Sequence, residues 1–150
     1  MNARIPPLIL LLIAGAIMWL VADSELAALI SIHYALALSL TCAALGIFLS
    51  VLAIWQFRVA QTTSNPLNLE KTTSLVDTGV FSWSRNPMYV GMVLMSIGWG
   101  VWLSALANIV VIAVFVLVIT ELQIKPEEEA LKKLFGSAFE EYSQQVRRWL

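Results

Sequence analysis

Residues Ser84–Ile124 read SRNPMYVGMVLMSIGWGVWLSALANIVVIAVFVLVITELQI. Past Arg85 this stretch holds no charged residue until Glu121. A helix needs about 20 apolar residues to cross a bilayer, so Pro87–Ile124 is long enough for two crossings. The short uncharged break Ser104–Asn108 divides it into a tight hairpin, with spans over about 87–103 and 107–124. One very long tilted helix is the alternative. Asn86 is a favoured N-cap residue and Pro87 suits the first helical position. Together they mark where the first of these spans begins.

Upstream, Ile5–Ala22 is a further apolar run, opened by Pro6 and Pro7. It exceeds the apolar core of a signal peptide and lacks a small-residue cleavage site, so it is read as an anchor. Asp23, Ser24 and Glu25 form a polar break. The next run, Leu26–Phe57, is too long for one upright crossing. Its membrane part is placed at about 34–57, after an interfacial lead-in that contains a solvated His33. The 150-residue chain is 59% hydrophobic, with a mean hydropathy of +0.81. One all-α domain is expected, an integral membrane bundle of about four crossings. The formal net charge of −1 offers no field for nucleic acid. Cys42 is the lone cysteine. It reads as a small buried hydrophobe, and no CxxC or Cys/His cluster points to a metal.

Charge sets the orientation. The nine basic residues are Arg4, Arg58, Lys71, Arg85, Lys125, Lys132, Lys133, Arg147 and Arg148. With four crossings all of them share one side, and the other side carries Asp23 and Glu25. The positive-inside rule then puts both termini and the loop 58–86 in the cytoplasm. A loop of that length is more often functional than idle, and it carries turn signals at Asn65-Pro66 and Asp77–Gly79. After the last crossing, PEEEALKKLFGSAFEEYSQQVRRWL (Pro126–Leu150) places Leu131, Leu134, Phe135, Phe139, Tyr142 and Val146 at helical spacing. Two amphipathic helices are expected over 127–149, hinged at Gly136, with Ser137 and Glu140 as a capping box. They either lie on the membrane surface or fold over the cytoplasmic ends of the spans.

Arg85 admits two readings. A helix N-terminus is already partly positive, so an arginine there is unfavourable unless an anion joins it. Arginine plus free backbone N–H groups makes a good anion site. On charge alone the topological reading of Arg85 stands first.

Three pieces in order change that weighting. Thr78, Gly79 and Phe81 form a T-G-x-[YF] turn. Arg85, Asn86, Pro87, Tyr89 and Gly91 form R-[HN]-P-x-Y-x-G. Glu127, Glu128, Leu131, Phe135, Gly136, Phe139 and Tyr142 form the spaced pattern that follows. This series resembles the isoprenylcysteine carboxyl methyltransferase and phospholipid methyltransferase superfamily, over about the C-terminal half of the chain. The histidine common after the arginine is Asn86 here, which removes a titratable group. Gly98-Trp99-Gly100 also resembles a glycine pair of phospholipid N-methyltransferases, although such pairs more often serve close packing.

The resemblance implies a short bacterial-type enzyme of the inner membrane that uses S-adenosylmethionine as cofactor. Its acceptor would be lipid-like or hydrophobic, either an isoprenylcysteine-like carboxylate or a phospholipid-like amine. Expected cofactor-binding residues are Thr78, Gly79, Arg85, Asn86, Pro87, Tyr89, Gly91, Glu127, Glu128, Phe139 and Tyr142. Arg85 would hold the carboxylate and Glu127 or Glu128 the ammonium or ribose. Tyr89, Trp83 and Phe139 would give an aromatic wall. Arg85 and Glu121 are the expected catalytic residues, with Glu121 as base or substrate ligand; on its own it reads as an interfacial acid. Methyl transfer needs no metal and no enzyme nucleophile, so alignment and a dry site carry it. Membrane lipids are the expected surroundings and no nucleic-acid partner is implied. A silent membrane scaffold of the same fold and a nicotinamide-cofactor reductase with a similar pocket are the competing readings. The reductase would want more arginine and lysine than the loop offers.

Overall fold

The computed structural model describes residues 5–22, 32–60 and 74–150. The polar break at Asp23–Glu25, most of the lead-in from Leu26, and the Asn65-Pro66 turn lie outside the described residues. Six α-helices account for most of the rest: α1 (Pro7–Leu20), α2 (Ile32–Val59), α3 (Pro87–Leu103), α4 (Ala107–Ile119), α5 (Lys125–Phe135) and α6 (Ser137–Gln145). A single 3-10 turn, Gly79–Ser82, precedes α3.

By length and composition two helices are able to cross a membrane: His33–Val59 and the continuous helix Ala107–Phe135. Pro7–Leu20 and Pro87–Leu103 are shorter apolar helices. Leu12, Leu20, Phe48, Trp55 and Leu117 point outward with more than half their surface exposed. So much exposed apolar surface suits lipid, because water would penalise a patch of that extent.

Ser104 separates α3 from α4. It takes a left-handed conformation at φ 51, and its N–H bonds back to the Val101 carbonyl. The hairpin follows from that one residue. At the other end of α4 the chain does not break between Ile124 and Glu127, where the sequence suggested that a span ends and a new helix begins. Thr120–Ile124 forms a π turn that feeds straight into α5. Pro126 explains it: a proline inside a helix removes one i→i−4 bond and clashes with the carbonyl before it. The wider π register, in which the Lys125 N–H reaches the Thr120 carbonyl, gives that ring room.

α1, α3 and α4 meet around Leu10, Ala14, Tyr89, Phe115 and Ile119. α2 runs along α3 at closer range. A Cβ on Gly91 would stand 2.5 Å from the Gly46 carbonyl oxygen, and one on Gly98 would stand 2.8 Å from the Ser39 carbonyl. Between apolar helices in lipid the attraction is packing, which small residues strengthen by letting backbones touch. Gly98 and Gly100 therefore serve helix seams, Gly100 against Met18 and Asn108. Gly91→Ala is expected to lower stability in detergent by about 1–3 kcal/mol through overpacking, read as a drop in unfolding midpoint. A wild-type midpoint would contradict the close contact.

Candidate active site

The site is built where α3 begins. Asn86 occupies the N-cap position of α3, but its side chain does not cap the helix. Instead its Nδ2 donates to the Arg148 carbonyl at 3.0 Å, and the Arg85 N–H donates to the Arg147 carbonyl at 3.0 Å. The Ser84 hydroxyl accepts from the Asn86 N–H at 3.1 Å. The C-terminal tail is thus stitched to the segment that starts α3.

Glu128 stands at the centre of the charge cluster. Arg85 Nη2 lies 3.2 Å from Glu128 Oε1, with both side chains largely buried. Arg148 grips the same carboxylate in a fork, with Nε 3.1 Å from each oxygen and Nη2 2.6 Å from Oε2. The hydrogen bond to Glu128 raises the pKa of Arg148 above its ordinary value. Two guanidinium groups share the one Glu128 carboxylate at the foot of α3. Arg85 Nε is buried without a hydrogen-bond partner, and the guanidinium sits 6.0 Å over the Phe139 ring. Beside it the Tyr89 hydroxyl donates to Glu127 Oε1 at 2.7 Å.

α6 closes the arrangement. The Tyr142 hydroxyl donates to the Phe81 carbonyl at 2.7 Å, and burial pushes that phenol well above its usual pKa. Phe81 packs against Phe57 of α2 with ring centroids 4.8 Å apart and the planes tilted 60°. Gly136 joins α5 to α6 at φ 53. The Ser137–Glu140 capping box is not formed: Gly136, not Ser137, sits at the N-cap, and no side chain caps the helix. Glu140 pairs with Lys132 at 2.7 Å instead, bridging the two helices.

These elements enclose a cavity of about 290 Å3. Arg85, Asn86, Pro87, Tyr89, Glu127, Glu128, Phe139 and Tyr142 all line it, with Met88, Met92, Pro6, Pro7 and Leu8 as an apolar wall. Thr78 and Gly79 do not line it. They form the turn behind Phe81, where Gly79 has φ 59 and the Gln56 amide is placed to bond the Thr78 carbonyl and the Val80 N–H, each at 3.3 Å. Gly91 faces α2. Trp83 is 78% exposed and is not part of the wall. The structure does not bring Glu121 to the cavity: it is exposed within the π turn and paired with Lys125 one turn on. Arg148 was missed as a site residue, because Arg147-Arg148 looked like a topology signal.

Among the described residues, a helical bundle with outward apolar faces holds a charged cleft with one apolar wall, as suits a membrane protein. Residues 34–138 match the phospholipid methyltransferase family profile, and the chain belongs to that family. It is 32% identical over 123 residues to a Saccharomyces cerevisiae protein-S-isoprenylcysteine O-methyltransferase, covering 75% of this chain and 50% of that protein. The chain therefore spans half the length of that relative. An uncharacterized Haemophilus influenzae protein is 38% identical over 63 residues, which is 42% of this chain and all of that one.

A double-mutant cycle of Arg148→Ala with Glu128→Gln tests the fork. The expected coupling is about 1–2 kcal/mol, the lower part of the range for charge-assisted bonds because Arg148 is partly exposed. Strictly additive losses in thermal stability would contradict the contact.

Proposed function

We propose that this chain is an S-adenosylmethionine-dependent methyltransferase, with the methyl donor in the cavity at the foot of α3 and a hydrophobic acceptor arriving from the bilayer. Arg85 carries the reading. It lines the cavity yet keeps one buried donor, Nε, without an acceptor. A buried unsatisfied donor is costly, and a ligand carboxylate satisfies it. The other groups suit the remaining parts of that molecule. Glu127 and Glu128 offer carboxylate oxygens to an ammonium or a ribose diol. Phe139 and Tyr89 offer ring faces to a flat base or a sulfonium. The residues present therefore fit the donor.

When bound, the donor supplies an electrophilic methyl group. The chain's own residues do the rest. Arg85 orients an anionic group, with the Met88 N–H at the start of α3 beside it, since Pro87 has no N–H and the Tyr89 N–H is bonded to the Asn86 carbonyl. Glu128, fixed between two arginines, holds Arg85 in place. Phe139 and Tyr142 cover the cavity and exclude water, which leaves the acceptor's nucleophilic atom poorly solvated. For an amine acceptor, the Tyr89–Glu127 pair is the polar couple in the cavity able to take the released proton.

The same reading places four crossings in the membrane with both termini in the cytoplasm. That side would then hold the charge cluster, α5 and α6. Cysteines introduced at Ser24 and Thr72 should be labelled from opposite faces by an impermeant reagent. Labelling from one face would refute the topology.

S-adenosylhomocysteine should stabilise the protein in detergent where a phosphorylated nicotinamide cofactor does not. Arg85→Ala should weaken that ligand roughly ten- to hundredfold, the equivalent of about 1.5–3 kcal/mol for one charge-assisted contact. Unchanged affinity in a folded Arg85→Ala protein would reduce Arg85 to a topology signal.

A further inference from the structure

Gln123 is 1% exposed, and Ile119 and Ile124 of the same helix are fully buried with it. In an α-helix the residue four on from Ile119 returns to its face and the residue five on turns away. The π turn, whose bonds reach the fifth residue, brings both Gln123 and Ile124 inward. An amide buried so deeply is costly unless it is bonded. Its Nε2 donates to the Ile5 carbonyl at 2.7 Å, while its Oε1 is buried without a partner. A methionine or leucine would fill a similar volume without that cost, so packing alone does not call for glutamine. The one bond it makes is what sets it apart.

That bond joins two segments that border the charged cavity. Ile5 lies just ahead of α1. The bonds of that helix start at the Pro6 carbonyl, which accepts from the Ile9 and Leu10 N–H groups, so the Ile5 carbonyl is left for Gln123. The next three residues, Pro6, Pro7 and Leu8, belong to the apolar wall of the cavity. Two successive prolines hold φ narrowly, so fixing the Ile5 carbonyl fixes the residues that follow. On the other side, Gln123 stands four residues before Glu127 in the continuous helix Ala107–Phe135, and Glu127 and Glu128 line the same cavity. Elsewhere α1 meets the bundle through apolar contacts at Leu10 and Ala14. Such contacts are non-directional, whereas a hydrogen bond fixes a distance.

We propose that Gln123 is a positioning residue for this cavity: its bond to Ile5 sets the distance between the Pro6–Leu8 wall and the helix that carries Glu127 and Glu128. Gln123 does not line the cavity itself. It acts through the two segments that it holds together, and the π turn that gives Pro126 room also aims the amide at Ile5. What the distance does for a ligand rests on the methyltransferase reading above; the distance itself does not.

Gln123→Met removes the donor and keeps the volume, and Gln123→Leu serves if methionine prevents folding. Spin labels on Ile9→Cys and Glu129→Cys, both exposed positions, in a Cys42→Ala background read the gap in nanodiscs by pulsed electron resonance. Gln123→Met should lengthen or broaden that distance. It should also weaken S-adenosylhomocysteine roughly three- to tenfold, within the span of one neutral hydrogen bond. Gly98→Ala, which overpacks the α2–α3 seam, is the control: it should lower the unfolding midpoint and leave distance and affinity unchanged. A fall in midpoint alone would make Gln123 a structural tether and overturn the assignment, as would an affinity no weaker than that of Gly98→Ala. If the wild type binds no S-adenosylhomocysteine, the methyltransferase reading fails, and the distance alone decides the role of Gln123.

Discussion

A carboxylate held between two arginines organises the end of this bundle. Glu128 is largely buried, and a buried charge without a partner is strongly destabilising. Its partners come from two distant points of the chain, Arg85 ahead of α3 and Arg148 in the tail. Without Glu128 those two guanidinium groups would repel each other across the same gap. With it, α5, the start of α3 and the last residues are bound into one piece. Arg85 also lines the cavity, and its Nε is buried without a hydrogen-bond partner.

The rest of the fold serves that cluster by different physics. Within the apolar layer there is little hydrophobic gain in bringing helices together, so α2 and α3 meet through glycines and backbone atoms. Backbone that departs from the α-helix sits at the helix ends, at Ser104, Gly79 and Gly136, and at the π turn within the long helix Ala107–Phe135. Such irregularity is tolerated where water or protein can satisfy the freed groups. At one end of the bundle the structure gathers ion pairs, tyrosine hydroxyls and tilted aromatic pairs. The proposed function suits that placement, since a polar cofactor and a hydrophobic acceptor would arrive from different solvents.

Much of the helical character was legible in the sequence, because apolar runs and Asn86-Pro87 report on local energetics. Arg85, Tyr89, Glu127, Glu128, Phe139 and Tyr142 were legible through motif order, and they share one cavity. Three features were not. Asn86 looks like a cap in isolation, yet its amide is drawn off by the Arg148 carbonyl, a partner 62 residues away. Arg148 has no local signal that separates it from Arg147. Glu121 sits near the boundary in sequence, but the π turn that accommodates Pro126 leaves it beside Lys125, away from the cavity. All three depend on contacts between distant segments or on helix register, which hydrophobic periodicity does not encode.

On the proposed function, the cavity at the foot of α3 holds a methyl donor. Ultraviolet cross-linking of S-adenosylmethionine labelled in its methyl group, followed by peptide mapping, tests this most directly. Label is expected in the peptides that contain Met88–Met92 or Phe139–Tyr142, with loss of that label when S-adenosylhomocysteine is in excess. Label confined to peptides elsewhere in the chain, or label that S-adenosylhomocysteine does not displace, would contradict it.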